Sequence, residues 1–100
     1  MMLLKWFDAT EAKLFGEEIA DNYIARIKKD QDKKNEKFIE RRQKELLAQM
    51  AQNINKFKMQ HELNIYKKAQ LGNTVKWKLL DAGFDKEYAD DLTGWIARQI

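Results

Sequence analysis

EKFIERRQKELLAQMAQNINKFKMQHELNIYKKAQL, residues Glu36–Leu71, contains neither proline nor glycine and consists largely of strong helix formers. Its apolar residues fall at Ile39, Leu46, Met50, Ile54, Phe57 and Ile65, with Gln43 and His61 filling gaps in the same stripe. Steps of three, four and seven hold one face of a 3.6-residue helix toward a common partner. The spacing predicts a single helix over 36–71, about 50 Å long at 1.5 Å per residue. A compact domain of this size has a radius of gyration of about 13 Å. A helix that long must stand clear of its own domain or pack against a second chain.

Beyond Phe57 the pattern changes. Met59, Leu63 and Tyr66 form a second apolar line, roughly opposite Phe57, His61 and Ile65. A helix that is apolar on two sides is covered on two sides. Working back toward the start, Ala12, Phe15, Ile19, Tyr23 and Ile27 form the buried stripe of a helix over about 9–29. Asp8 and Glu11 have capping-box spacing, Phe7 can staple the helix start, and Trp6 and Phe7 are expected to anchor the leading segment. Gly16, which costs a helix about 1 kcal/mol relative to Ala, marks a close approach by a neighbour. Between the two helices, residues 28–37 (KKDQDKKNEK) carry no apolar side chain and read as the solvated turn of a hairpin rather than a bridge within one helix. Asp30, Asp32 or Asn35 is positioned to cap the second helix.

Gly72 reads as the end of the long helix and Asn73 or Thr74 as the cap of a short third helix, about 74–82. Val75, Leu79 and Ala82 form its inner face. Gly83-Phe84 is the signature of a Schellman stop, with Phe84 expected against Leu79. Asp85 caps a fourth helix, about 86–99, whose stripe is Tyr88, Ala89, Leu92, Trp95 and Ile96. The fold expected is all-α and a single domain over 1–100: a long helical hairpin (9–29 and 36–71) capped by two short C-terminal helices.

Composition bounds the function. The 100 residues are 44% hydrophobic and 35% charged, without proline, cysteine or serine. That excludes a disulfide framework, a thiolate or serine nucleophile and a cysteine-based metal site. There is no Gly-rich phosphate loop and no zinc spacing. The residue three before His61 is Lys58, so the Glu-x-x-His pair of a di-iron bundle is missing. His61, on the apolar stripe, reads as a structural, hydrogen-bonded side chain. The acid pairs Glu17/Asp21 and Glu87/Asp91 read as solvated surface. No catalytic residue, cofactor, metal or small-molecule substrate is expected. The start has no basic region followed by an apolar run of signal-peptide length, and no window suits a transmembrane span, so a cytoplasmic protein is expected. Glu mixed among the bases of the long helix argues against a membrane-surface helix.

Charge is unevenly placed. Residues 1–35 carry seven acids and seven bases, residues 36–72 eight bases and four acids, and residues 73–100 four bases and five acids, summing to +3. Lys33, Lys34, Lys37, Arg41, Arg42 and Lys44 form a candidate phosphate-contacting cluster. Asp30, Asp32, Glu36, Glu40 and Glu45 are interleaved with it. The last two helices have a helix-turn-helix outline, but the second carries Asp85, Glu87, Asp90 and Asp91, which repel a duplex. Nucleic-acid binding is therefore the alternative reading. The first reading is a non-enzymatic protein–protein interaction module, self-associating through the long helix. Its candidate interface is Phe57, Met59, Leu63, Tyr66, Trp77 and Trp95, drawn from residue types enriched at interface cores.

Two resemblances accompany this. Leu80-Asp81-Ala82-Gly83-Phe84, with Ala89 and Leu92 following, resembles the Gly-Phe turn of ubiquitin-associated domains, with Ala82 where they carry Met. It implies a small apolar docking surface. Lys5-Trp6-Phe7-Asp8, the run from Leu63 to Asn73 and Lys76-Trp77-Lys78-Leu79 are similar to segments of short uncharacterised bacterial helical proteins, which implies a helical fold and no particular activity.

Overall fold

The helix expected over 36–71 is two helices. The computed structural model of the chain describes residues 6–30 and 36–100. Among them are four helices and no strand: α1 Thr10–Asp30, α2 Glu36–Gln60, α3 Ile65–Asp81 and α4 Lys86–Gln99. The all-α fold stands, and the helix boundaries around the hairpin are revised. Residues 31–35, with the expected turn, Lys33, Lys34 and the caps Asp32 and Asn35, lie outside the described residues.

The break has a local cause. Asn64 has an extended backbone (φ −82°, ψ 175°), and its side-chain oxygen accepts the Lys67 N–H at 2.8 Å. That is an N-cap, and a cap starts a new helix. On the other side, the His61 N–H closes the last turn of α2 on the Phe57 carbonyl at 2.9 Å. The joint also resolves the two-sided stripe. With the axis redirected at 61–64, α2 buries Leu46, Met50, Ile54 and Phe57, while α3 buries a face of its own. Ile65, expected on the α2 stripe, falls outside and is 83% exposed.

α3 then runs straight through the expected stop at Gly72 and the expected cap at Asn73 or Thr74. Leu71, Val75 and Leu79 have no exposed surface, so the buried stripe is continuous across the glycine. Gly72 is buried beside α4, where a Cβ would meet the Thr93 methyl at an ordinary contact distance of 3.5 Å. Thr74 turns its hydroxyl back onto the Gln70 carbonyl at 2.8 Å, which satisfies it within the helix.

α1 packs most extensively on α3, and α3 next on α4; α2 touches α1 and α4 more sparingly. The principal pair is therefore not the sequential hairpin. Small residues on α1 explain this. Ala12, Gly16 and Ala20, with Ala9 just before the helix, are buried, and a Cβ on Gly16 would lie 3.0 Å from the Leu71 carbonyl oxygen and 3.2 Å from Thr74 Cβ. The two backbones meet there, as the glycine foreshadowed. Ile19, Tyr23 and Ile27 carry the rest of α1 into the core. Lys78 reaches across to Asp21 at 3.3 Å, at the exposed margin of the same pair.

The α3–α4 corner follows the predicted pattern. Gly83 takes φ +97°, the Phe84 N–H bonds the Leu79 carbonyl at 3.1 Å and the Gly83 N–H bonds the Leu80 carbonyl at 3.0 Å. These are the two bonds of a Schellman motif. Asp85 then caps α4 by accepting the Tyr88 N–H at 2.7 Å. Gly83→Ala should lower stability by about 1–2 kcal/mol, because an L side chain is strained in the left-handed region; urea unfolding of the pair of proteins measures it. One core polar atom lacks a partner among the described residues, the Thr93 hydroxyl. Thr93→Val should raise stability by about 1 kcal/mol in the same assay, since it removes an unpaired buried group at nearly constant shape.

Candidate protein-interaction face

α3 buries one side and turns the other outward. Away from that side Tyr66, Gln70, Asn73, Trp77 and Leu80 follow at steps of four, three, four and three; Asn73 and Trp77 are exposed, Gln70 is half-buried, and Tyr66 and Leu80 are half-buried against the core. That is the 3.5-residue repeat of a seam running along a helix. Trp77 is 63% exposed. At the other end of the seam, Tyr66 is covered by the leading segment: Trp6 stacks on it with centroids 6.1 Å apart, and Phe7 meets it edge-on at 5.3 Å. Asn64 donates from its side-chain amide to the Trp6 carbonyl at 2.9 Å, so the same residue caps α3 and holds this segment down. Trp6 and Phe7 dock as anchors should, yet remain 44% and 54% exposed.

The seam itself bears no charged residue in a chain that is 35% charged. Lys76, beside Trp77, pairs with Asp90 of α4 at 2.9 Å. An uncharged strip bounded by aromatic side chains at both ends is the composition of an interface core.

The six residues expected at an interface do not share one surface. Phe57 is 8% exposed and belongs to the core, its ring parallel to that of Phe15 at 4.3 Å. Leu63 and Trp95 are half-buried against that core. Met59, 80% exposed, stands on the far side of the joint, at the end of α2. Tyr66 and Trp77 alone fall on the α3 seam. Trp6, Gln70, Asn73 and Leu80 were missed. Their spacing is legible in the sequence, but an expected helix end at Gly72 cuts the seam in two.

Of the candidate nucleic-acid contacts, Lys37, Arg41 and Lys44 share one exposed side of α2, with Glu40 and Glu45 also exposed beside them. Arg42 pairs with Glu45 at 3.1 Å.

Two further places carry chemistry. His61 stacks on Phe57 at 4.4 Å, extending the Phe15–Phe57 pair to three rings. It lines an open groove of about 560 Å³ between α1 and α2, floored by Phe15, Ile19 and Phe57. Among the described residues no group of three or more His, Cys, Asp or Glu side chains is placed to hold a metal ion. Deeper in, the Tyr23 and Tyr88 hydroxyls are hydrogen-bonded to each other, and Gln43 donates to Tyr88 at 3.3 Å, joining α1, α4 and α2. Burial, and then the Tyr88 hydroxyl, push the Tyr23 phenol well above its ordinary value of 10.0. The folded form thus keeps a proton that the unfolded chain releases. Stability is full below about pH 10 and should fall as pH rises beyond it, by up to about 1.4 kcal/mol per pH unit for one group. Tyr23→Phe should flatten that decline in alkaline urea titrations.

Comparison with known proteins returns nothing. No protein-family model matches the chain, no curated protein matches its sequence, and no solved structure matches its fold. Among the described residues no helix is long and apolar enough to cross a membrane.

Proposed function

We propose that this chain is a non-enzymatic protein–protein interaction module that associates with itself through the outward seam of α3. The observation that carries the reading is Trp77, 63% exposed on a strip without charge whose other end is the Trp6–Phe7–Tyr66 cluster. Aromatic residues supply most of the energy at interface hot spots, and a large exposed apolar patch marks a contact site. Self-association thus shifts from the long central helix, which does not exist as one piece, to the helix after the joint. Light scattering over a concentration series tests it. The expected result is a mass that rises to at least a dimer and returns to the monomer in Trp77→Glu. A monomer mass at every concentration overturns the proposal.

The second reading keeps Lys37, Arg41 and Lys44, exposed on one side of α2, as phosphate contacts. Binding of duplex DNA or RNA on filters at about 50 mM salt, lost steeply as salt is raised, would support it, and no retention would remove it.

A further inference from the structure

We infer that two copies of this chain can exchange halves: the joint at 61–64 straightens, α2 and α3 fuse into one helix over 36–81, and α1 of each copy packs on α3 of the other. The exchange uses the inner face of α3, not its outward seam, and is independent of the association proposed above.

The joint is a reversal between two helices that do not pack on each other. Phe15 stacks on Phe57 and Arg26 reaches Gln49 at 3.3 Å, so α1 and α2 are antiparallel. Gly16 lies over Leu71 and Asp21 pairs with Lys78, so α1 and α3 are parallel. α2 and α3 therefore run in opposite directions, and among the described residues both pack on α1 and α4 rather than on each other. The α1–α2 half is held to the α3–α4 half chiefly by the α1–α3 packing. A second copy offers the same surfaces, so exchange rebuilds these contacts between chains without a new complementarity.

The local chemistry of the joint favours straightening. Residues 36–71 contain no proline or glycine, and the side chain that starts α3 is Asn64, through one bond to the Lys67 N–H at 2.8 Å. A continuous helix pairs the carbonyls and amides that a break leaves to caps and water. Short hinges of this kind invite exchange. Ile65 and Met59, 83% and 80% exposed, are the most exposed large apolar side chains among the described residues, and they flank the joint. In the exchanged pair the two straightened stretches pass each other at the two-fold axis, which brings these side chains of both copies to a new contact. Lys58, Glu62, Lys67 and Lys68 lie in the same stretch, so apolar cover and not charge carries that contact.

The start of α2 and the end of α3 share one end of the molecule, where Gln43 and Gly83 line a common cavity. The chain has no cysteine, so full-length Lys44→Cys/Asp81→Cys takes two nitroxide labels at exposed sites. It is refolded from urea at high concentration in excess unlabelled chain, and monomer and dimer are separated and weighed by light scattering. Pulsed dipolar spectroscopy then reads the separation within one chain. The closed chain holds the labels no further apart than roughly the molecule's 25 Å width. On one continuous helix they stand about 55 Å apart. The expected result is a dimer fraction with the long separation, in the wild-type background and in Trp77→Glu alike. Ile65→Pro is compatible with the closed chain, because proline fits the first position of α3 and the extended Asn64 before it, but it breaks the long helix. It should weaken the dimer by at least about 1,000-fold. Asn64→Ala removes a cap that only the closed chain uses, and should tighten the dimer about 30-fold. A dimer with the short separation is an association of closed chains; it overturns the exchange and leaves the α3 seam standing. A monomer at every concentration, in Asn64→Ala as in the wild type, also overturns the exchange, as does an Ile65→Pro dimer that keeps the long separation.

Discussion

Gly16→Leu lowers the melting temperature by about 15 °C. The reason is the distance between two backbones. A Cβ at position 16 already stands 3.0 Å from the Leu71 carbonyl oxygen and 3.2 Å from Thr74 Cβ. A leucine adds three more carbons in that direction, and the nearest obstacle is main chain within a helix, which has no rotamer to change. α1 and α3 must separate. Between them lie Ile19, Tyr23, Leu71 and Val75, all buried. Overpacking of this kind costs about 3 kcal/mol, and in a domain of this size each kcal/mol moves the midpoint by about 4–8 °C. Gly16→Ala is the informative control. It gains about 1 kcal/mol of helix propensity and must press against the same carbonyl, so its net effect is far smaller. Thermal melts by circular dichroism read both. A leucine variant that melts with the wild type would mean that the helices do not cross there.

Leu71→Ala should cost about 3 kcal/mol, read as a shift in urea midpoint at unchanged slope. The side chain has no exposed surface and sits mid-way along α3, facing the crossing with α1. A helix ending at Gly72 would give another outcome: Leu71 would lie on a fraying last turn, where truncation costs a few tenths of a kcal/mol. The same substitution therefore measures the stability of the core and decides where the helix ends.

That contrast shows what the sequence conveys and where it misleads. Apolar periodicity marked these stretches as helical but not the bounds of α2 and α3, and short-range hydrogen-bonding chemistry located the corner: Gly83, Phe84 and Asp85 act through partners within five residues. The joint at 61–64 was harder, because strong helix formers continue through it and its decisive bond is one side chain, Asn64, to one amide. The two-sided apolar stretch from Phe57 to Tyr66 was the available signal, and it described two helices rather than one wrapped helix. Gly72 misled in the opposite sense. A glycine at a helix end and a glycine where helices touch look alike in one dimension, and only the unbroken stripe Leu71–Val75–Leu79 separates them. The candidate face suffered from the same error. Tyr66 and Trp77 were picked out by residue type, but Gln70 and Asn73 are polar and belong to the strip only through position.

The dominance of the α1–α3 pair also bears on how fast the chain reaches its fold. A helical hairpin forms between neighbours in sequence and needs only a short loop to close. Here Tyr23 bonds Tyr88 across 65 positions, and Lys78 reaches Asp21 across 57. α2 and the joint must be spanned before α1 finds its best partner. Loop-closure entropy grows slowly with length, so stability loses little, while the folding rate is sensitive to such separation. The chain should therefore fold more slowly than an up-and-down bundle of equal size. Its helices would gain much of their content before α1 and α3 lock, a lag between circular dichroism and the fluorescence of Trp95 in a Trp6→Phe/Trp77→Phe background in stopped-flow refolding.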